Sequence, residues 1–372
     1  MSAVAVWERR LEWLAVALVA ISLLIPNYAW NQDGVMFAGW VMHGGPERAI
    51  HMHHLLYLPV LALLTRGGHV FASSPDTFLL ATGWSYVSAL GCLVTVPPTL
   101  RRLEYPLGWR MAVVLLFGLG ATFHHWSTIA SVYIPTLGVL LLLYLELASW
   151  QSPGPTRAQL WRVCGWLLLA TLLHQMVGLL VLSIGGWAAW LTPRGSRWRA
   201  GFVAAFTPFA VIMVTYGIAW GYCQRQSPTG SFLHWSTRYG QNSAWWVLTR
   251  TDLHGLPLLR FWIERVAGSH LKLFVALPQG IEFVPTPREP LSAIVQTLMP
   301  LPVFAMLAVG LGIWIVLALR EIHRRWEESD ALRRAVVLAG CWIAPVLCFT
   351  MAYEPQHAFY RLFYWLPLLV LL

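Results

Sequence analysis

Long apolar stretches recur from residue 11 to the end of the chain, most of them bordered by arginines or aromatic side chains. A bilayer core about 30 Å thick takes roughly 20 apolar residues per helix, so each stretch reads as a membrane span. A backbone in lipid must satisfy its own hydrogen bonds, which restricts the choice to helices or a closed barrel. Runs such as 113–119 and 139–145 are apolar all round and lack the alternation of a barrel strand. With 58% hydrophobic residues, 11% charged residues and a mean hydropathy of +0.60, the chain does not fit a soluble domain. The expected fold is an all-α polytopic membrane protein, one transmembrane domain over residues 1–372.

The formal charge of +9 could suggest nucleic acid, but the basic residues, 24 Arg and Lys272 alone, lie mainly at the ends of apolar runs. They are topology signals, and no nucleic-acid partner is expected. Five clusters agree on one side: Arg9/Arg10, Arg101/Arg102/Arg110, Arg157/Arg162, Arg194/Arg197/Arg199 and Arg320/Arg324/Arg325/Arg333/Arg334. The positive-inside rule makes them cytoplasmic and gives about ten spans, near 11–27, 75–96, 108–123, 129–149, 163–173, 176–191, 201–222, 297–319, 335–352 and 362–372. No small-residue cleavage site follows Arg9/Arg10, so the first span is read as retained, with a cytoplasmic N-terminus, in the inner or plasma membrane of the cell. Cys92, Cys164, Cys223, Cys341 and Cys348 have no metal-ligand spacing and read as buried thiols.

Two segments are external by this map, residues 27–74 and 223–296. The first carries residues 55–64, too short to span and too apolar for water, hence an interfacial or re-entrant helix. The second is rich in Trp and Arg, as amphipathic pieces at the headgroup level are. Ser73-Ser74-Pro75-Asp76 reads as a helix start, with a capping hydroxyl and an acid at the positive end of the dipole. Residues 161–191 are too long for one helix and too short for two full spans. They read as two half-length helices meeting at a buried turn at His174-Gln175.

Eight acids map outside: Asp33, Glu47, Asp76, Asp252, Glu264, Glu282, Glu289 and Glu354. Asp33 follows the first span within Asn31-Gln32-Asp33-Gly34. A carboxylate there can meet a lipid-borne and a water-borne substrate together, and partial burial would raise its pKa and make it a better base. Asp is equally common as a helix N-cap, and both readings stand. His51, His53 and His54 follow, with Tyr57 a turn further on. They read as ligands for a divalent metal, as neutral donors to a phosphate or sugar hydroxyl, or as an interfacial polar stripe, and their spacing matches no strong metal motif. His124 and His125 lie in the external turn between the third and fourth spans, either facing the compartment of Asp33 or simply making a polar hairpin. His174 is intramembrane polarity, which marks a cavity or serves the broken backbone. The last external loop holds Glu354, a second candidate acid or base, with His357, Tyr360 and Arg361. Arg361 is placed at the mouth of the final span, to grip a lipid phosphate or to anchor at the interface. No Gly-rich phosphate loop, Cys-x-x-Cys pair, nucleophile elbow or His-Glu-x-x-His helix occurs, so nucleotide hydrolysis and common protease chemistry have no support.

Asn31-Gln32-Asp33-Gly34, the stretch from His51 to Pro59, and Glu354-Pro355 through Tyr360-Arg361 together resemble the GT-C superfamily of multi-span glycosyltransferases, as does the half-helix pair around His174. That resemblance implies transfer of a sugar from a polyprenyl-phosphate donor to an unidentified acceptor hydroxyl, with Asp33 as base and inversion at the anomeric carbon. Arg361, with His54 or His357, would stabilise the departing lipid phosphate. Many relatives carry a second acid in the next external turn, where this chain has His124-His125-Trp126, which puts a carboxylate-bound metal in question. The rival expectations are a transporter or flippase lined by His174 and the half-helices, and a non-catalytic subunit docking through its Trp-rich external segment.

Overall fold

The computed structural model describes residues 3–25, 32–43, 51, 53–70, 75–226, 230–237, 329–353 and 359–371, with isolated positions between 316 and 327. Of these residues 84% are helical and none is in a strand, as expected for an all-α fold. The helices are α1 (Ala3–Ser22), α2 (Gln32–His43), α3 (Tyr57–Gly68), α4 (Thr77–Arg102), α5 (Leu107–Leu119), α6 (Ala121–Ser127) and α7 (Tyr133–Ala148). After them come α8 (Arg157–Leu173), a 3-10 turn Gln175–Leu180, α9 (Val181–Leu191), α10 (Arg197–Gln226), α11 (Phe232–Thr237), α12 (Asp330–Ala352), α13 (Phe359–Leu362) and α14 (Trp365–Leu371). Apart from residue 316, the expected span at 297–319 lies outside the described residues, as do residues 238–296 of the segment expected to be external.

Among the described residues three helical stretches, Thr77–Arg102, Arg194–Gln226 and Asp330–Ala352, are long and apolar enough to cross a bilayer. A fourth qualifies if α5 and α6, bent by 56° at Gly120, count as one span. The other expected spans differ for identifiable reasons. Helix α1 begins eight residues early and so takes in Glu8, Arg9 and Arg10 besides Glu12. Helix α7 has 16 residues, and the last expected span is broken into α13 and α14. Helix α10 turns Trp198, Phe202, Phe206, Val214 and Ile218 outward, with Trp198 91% exposed, an apolar face suited to lipid and not to water. The five cysteines are free thiols. Cys92 and Cys164 are buried as expected, but Cys223 and Cys341 are half-buried and Cys348, on an outer face of α12, is exposed.

Local sequence sets the helix ends. Asp76 itself, in place of the preceding hydroxyls, caps α4 by accepting from the amides of Phe78 at 2.8 Å and Leu79 at 3.1 Å. Thr156 and Gln159 form a reciprocal capping box that starts α8 at residue 157, six residues before the expected span. Helix α4 packs on α7, α7 on α8, α9 on α10, and α1 on α5, while α12 closes the bundle against α9 and α14.

Contacts gather the arginines at one end. Glu12 is fully buried and pairs with Arg101 and, at 2.6 Å, with Arg110, which also holds Glu8 at 2.6 Å. Arg102 donates to the Leu145 carbonyl at 3.1 Å, and Arg334 to those of Ala148 and Trp150, so two arginines close the open carbonyls of α7. Glu146 pairs with the exposed Arg162 at 2.9 Å. These acids are what the topology reading missed: several of the basic clusters are ion-paired across helices. Removing one partner of a buried ion pair leaves the other charge enclosed and costs about 3–5 kcal/mol. Glu12→Ala should therefore melt well below the parent in detergent, while Arg162→Ala, at an exposed pair, scarcely moves the transition. Equal shifts would contradict the account.

Candidate functional site

At the end of the bundle away from the arginines, the interrupted helix dominates the architecture. His174 leaves the helical conformation (φ −150°, ψ 111°) between α8 and the 3-10 turn, as expected for two half-helices. Broken helices leave backbone groups unsatisfied, and in an apolar setting something must satisfy them. The segment before α3 does so. The amide of Leu56 donates to Leu172 O at 2.8 Å, that of Gln175 donates to His53 O at 2.9 Å, and His54 Nδ1 lies 2.8 Å from Leu173 O. A carbonyl only accepts, so His54 carries its proton on Nδ1 and keeps a lone pair on Nε2.

This strap brings four imidazoles together. His51 and His54 stack at 5.3 Å and 13°, His53 is 5.8 Å from His51, and His54 meets His174 edge-on at 5.0 Å. Around His174 stand Tyr133 at 5.6 Å, Tyr360 at 6.0 Å and Phe363 at 5.2 Å. On the other side α2 contributes Phe37, 5.4 Å from His54, and Trp40, 5.6 Å from His51. Tyr57 is fully buried, stacked on Trp84 at 4.9 Å. Burial lowers His51 from its ordinary 6.5 to about 4 and His53 to about 3, and pushes His54 down as well, with neighbouring imidazoles adding to the effect at His53 and His54. All three are neutral near pH 7.

Among the described residues no group of three or more His, Cys, Asp or Glu side chains could hold a metal ion. The stacked rings of His51 and His54 run side by side and do not converge on one point. Asp33 lies in the first turn of α2, four residues before Phe37, and so on the helix face that Phe37 and Trp40 share; its side chain lies outside the described residues. That turn is held closely. A Cβ on Gly34 would come within 2.6 Å of Ala130 O and 2.8 Å of Ala130 Cβ. Next to Ala130, Ser131 exchanges two hydrogen bonds with the Ser85 hydroxyl of α4, at 3.0 and 3.1 Å.

Thus His51, His53, His54, Tyr57, His174 and Tyr360 meet in one place. His124 is elsewhere: its Nε2 donates to Ser22 O at 3.0 Å, joining α6 to the end of α1. His125 packs on Trp126, which touches Tyr133. Arg361 is fully buried, bonded to the Thr350 hydroxyl and 6.0 Å from the Tyr364 ring centre, and does not lie at an open mouth. Glu354 and His357 lie outside the described residues. Sequence reasoning missed Phe37, Trp40, Trp84, Tyr133 and Phe363. The i, i+3 spacing of Phe37 and Trp40 on α2 was the one available signal. Comparison with protein families, with curated proteins and with solved structures finds no match.

Two expectations follow from this geometry. A detached strap exposes histidines that take protons near 6.5, whereas the docked ones resist to about 4 and 3. The stabilisation is full above 6.5 and is lost as pH falls from there towards 4. Amide exchange at Leu56 and Gln175, corrected for intrinsic rate, should therefore be faster at about pH 4.5 than at about pH 7.5; unchanged protection would contradict the docking. Gly34→Ala should cost about 1–3 kcal/mol by overpacking against Ala130. Gly39→Ala on the same helix, where nothing lies within 4 Å, should leave the melting point unchanged or raise it.

Proposed function

We propose that the chain is a membrane glycosyltransferase of the GT-C kind, moving a sugar from a polyprenyl-phosphate donor to an acceptor hydroxyl on the non-cytoplasmic face of the cell membrane. The observation that carries this reading is the convergence of His51, His53, His54, His174 and Tyr360 beside the face of α2 on which Asp33 lies one turn from Phe37. About ten spans and a cytoplasmic N-terminus go with it, since the arginines gathered at the opposite end would then face the cytoplasm.

In this reading Asp33 accepts the proton of the acceptor hydroxyl while its oxygen attacks the anomeric carbon. The bond from that carbon to the lipid phosphate breaks, the phosphate leaves with the electron pair, and the configuration inverts. Neutral imidazoles suit hydrogen bonding to sugar hydroxyls, and the aromatic rings suit the apolar faces of a sugar. The phosphate role that the resemblance gives Arg361 requires its guanidinium to turn from Thr350 and Tyr364 towards the donor. Glu354 remains the second candidate carboxylate in the last external loop.

A transporter or flippase is the second reading, favoured by the buried His174 at the helix break. Sugar transfer by the full chain in proteoliposomes, with a polyprenyl-phosphate sugar as donor, separates the two. Asp33→Asn should lower the rate by about 10²–10⁴. Asp76→Asn should keep most of it, since Asn also caps a helix. Full retention by Asp33→Asn removes this residue as the base, and solute uptake without transfer favours the transporter.

A further inference from the structure

The outward face of α10 has a cationic end and an aromatic length. Arg194, Arg197, Trp198 and Arg199 all stand exposed where the chain enters this helix. Arg197 spends only its Nε, on the Thr192 carbonyl at 3.2 Å. The loop before α8 packs at the same place, since a Cβ on Gly154 would come within 2.9 Å of the Thr192 hydroxyl, and it brings the exposed Arg157 and Trp161 alongside. Arg101, Arg110 and Arg162 have acids of their own, whereas Arg157, Arg194, Arg197 and Arg199 pair with none among the described residues. Residues 147–226 hold six arginines and no Asp or Glu. From Trp198 an exposed row continues at helical spacing through Phe202, Phe206 and Phe209, with the first two phenylalanines stacked at 5.3 Å and 10°. Between residues 198 and 209 a helix rises about 16 Å, close to half of a bilayer core about 30 Å thick. The row therefore has the length of one lipid leaflet, with the free cations at its headgroup end.

We infer that this face of α10, with the start of α8, is a binding surface for a phospholipid of net negative charge. The guanidiniums of Arg194, Arg197 and Arg199 take the phosphate oxygens, for which their forked donors are well shaped. Trp198 sits at the headgroup level, where an indole is better placed than in water or in the hydrocarbon core. The acyl chains lie along Phe202, Phe206 and Phe209 and replace water on rings that are otherwise bare. Charge sets the preference. The phosphate of a phosphatidylcholine carries its own ammonium, so it offers the arginines no net charge, whereas an anionic headgroup supplies the counter-charge that this stretch of chain lacks. The inference requires only that α10 crosses a bilayer, and it holds whether the chain transfers a sugar or moves a solute.

The test is a titration of the full chain in detergent with phosphatidylglycerol or with phosphatidylcholine of the same acyl chains, the bound lipids being counted by native mass spectrometry. The first phosphatidylglycerol should bind at least about fivefold more tightly than the first phosphatidylcholine, the gain expected from a single arginine near a headgroup. Replacing Arg194, Arg197 and Arg199 together by Gln should erase that preference and leave phosphatidylcholine binding unchanged, a readout that a general loss of fold would not give. Replacing the same three by Lys should keep most of it, since the charge stays. Arg199→Gln alone should lower phosphatidylglycerol affinity by about fivefold, and this smaller change decides the matter if the triple variant does not insert. Equal affinity for the two lipids, or a preference that survives the Gln variants, would overturn the inference. Displacement of the lipid by excess inorganic phosphate would overturn it too, because the surface would then hold a free anion and not a lipid.

Discussion

The architecture of the described bundle depends on how the break at His174 is closed. An interrupted helix in an apolar setting cannot leave its carbonyls and amides bare, and water is not there to take them. The chain solves this by laying residues 53–56 across residues 172–175, with two backbone hydrogen bonds and one imidazole N–H to a carbonyl. Everything else at that end follows from the strap. It carries His51 and His53 into a desolvated space, sets His54 against His174, and starts α3 so that Tyr57 stacks on Trp84. The same hydrogen bonds that repair the backbone thus build the cluster that could bind a ligand.

The opposite end obeys electrostatics of a different kind. Acids from α1 and α7 meet arginines from α4, α5 and α8, and further arginines close the end of α7. The bundle is therefore two-ended. One end is ionic and pins α1, α4, α5, α7, α8 and α12 together, and the other is aromatic and neutral.

Much of this was legible in the sequence, for reasons that can be named. Apolar runs identify helices because lipid permits little else, and the polar pair His174-Gln175 inside one of them marked the break. Residues 55–64 read as a helix because they are too short to span, and the structure has α3 at Tyr57–Gly68. What could not be read were the long-range pairings. Nothing local connects Glu12 with Arg101 and Arg110, or His54 with Leu173, and the apolar run around Arg361 gives no hint that Thr350 and Tyr364 enclose it. Helix starts were missed where side-chain capping, as by Thr156 and Gln159, extended a helix beyond its apolar part. Nothing local shows that Gly34 is packed against Ala130, nearly a hundred positions away.

The two-ended account is tested most directly by the side of the membrane from which each end can be reached. In a chain whose five cysteines are replaced, Met42→Cys is exposed at the C-terminal end of α2, and Gly195→Cys sits in the arginine-rich turn before α10. A membrane-impermeant maleimide applied to intact cells should label the position at 42 at once and the position at 195 only after permeabilisation. Labelling of both from the same side, or in the reverse order, would contradict the assignment of the histidine cluster and Asp33 to the non-cytoplasmic face.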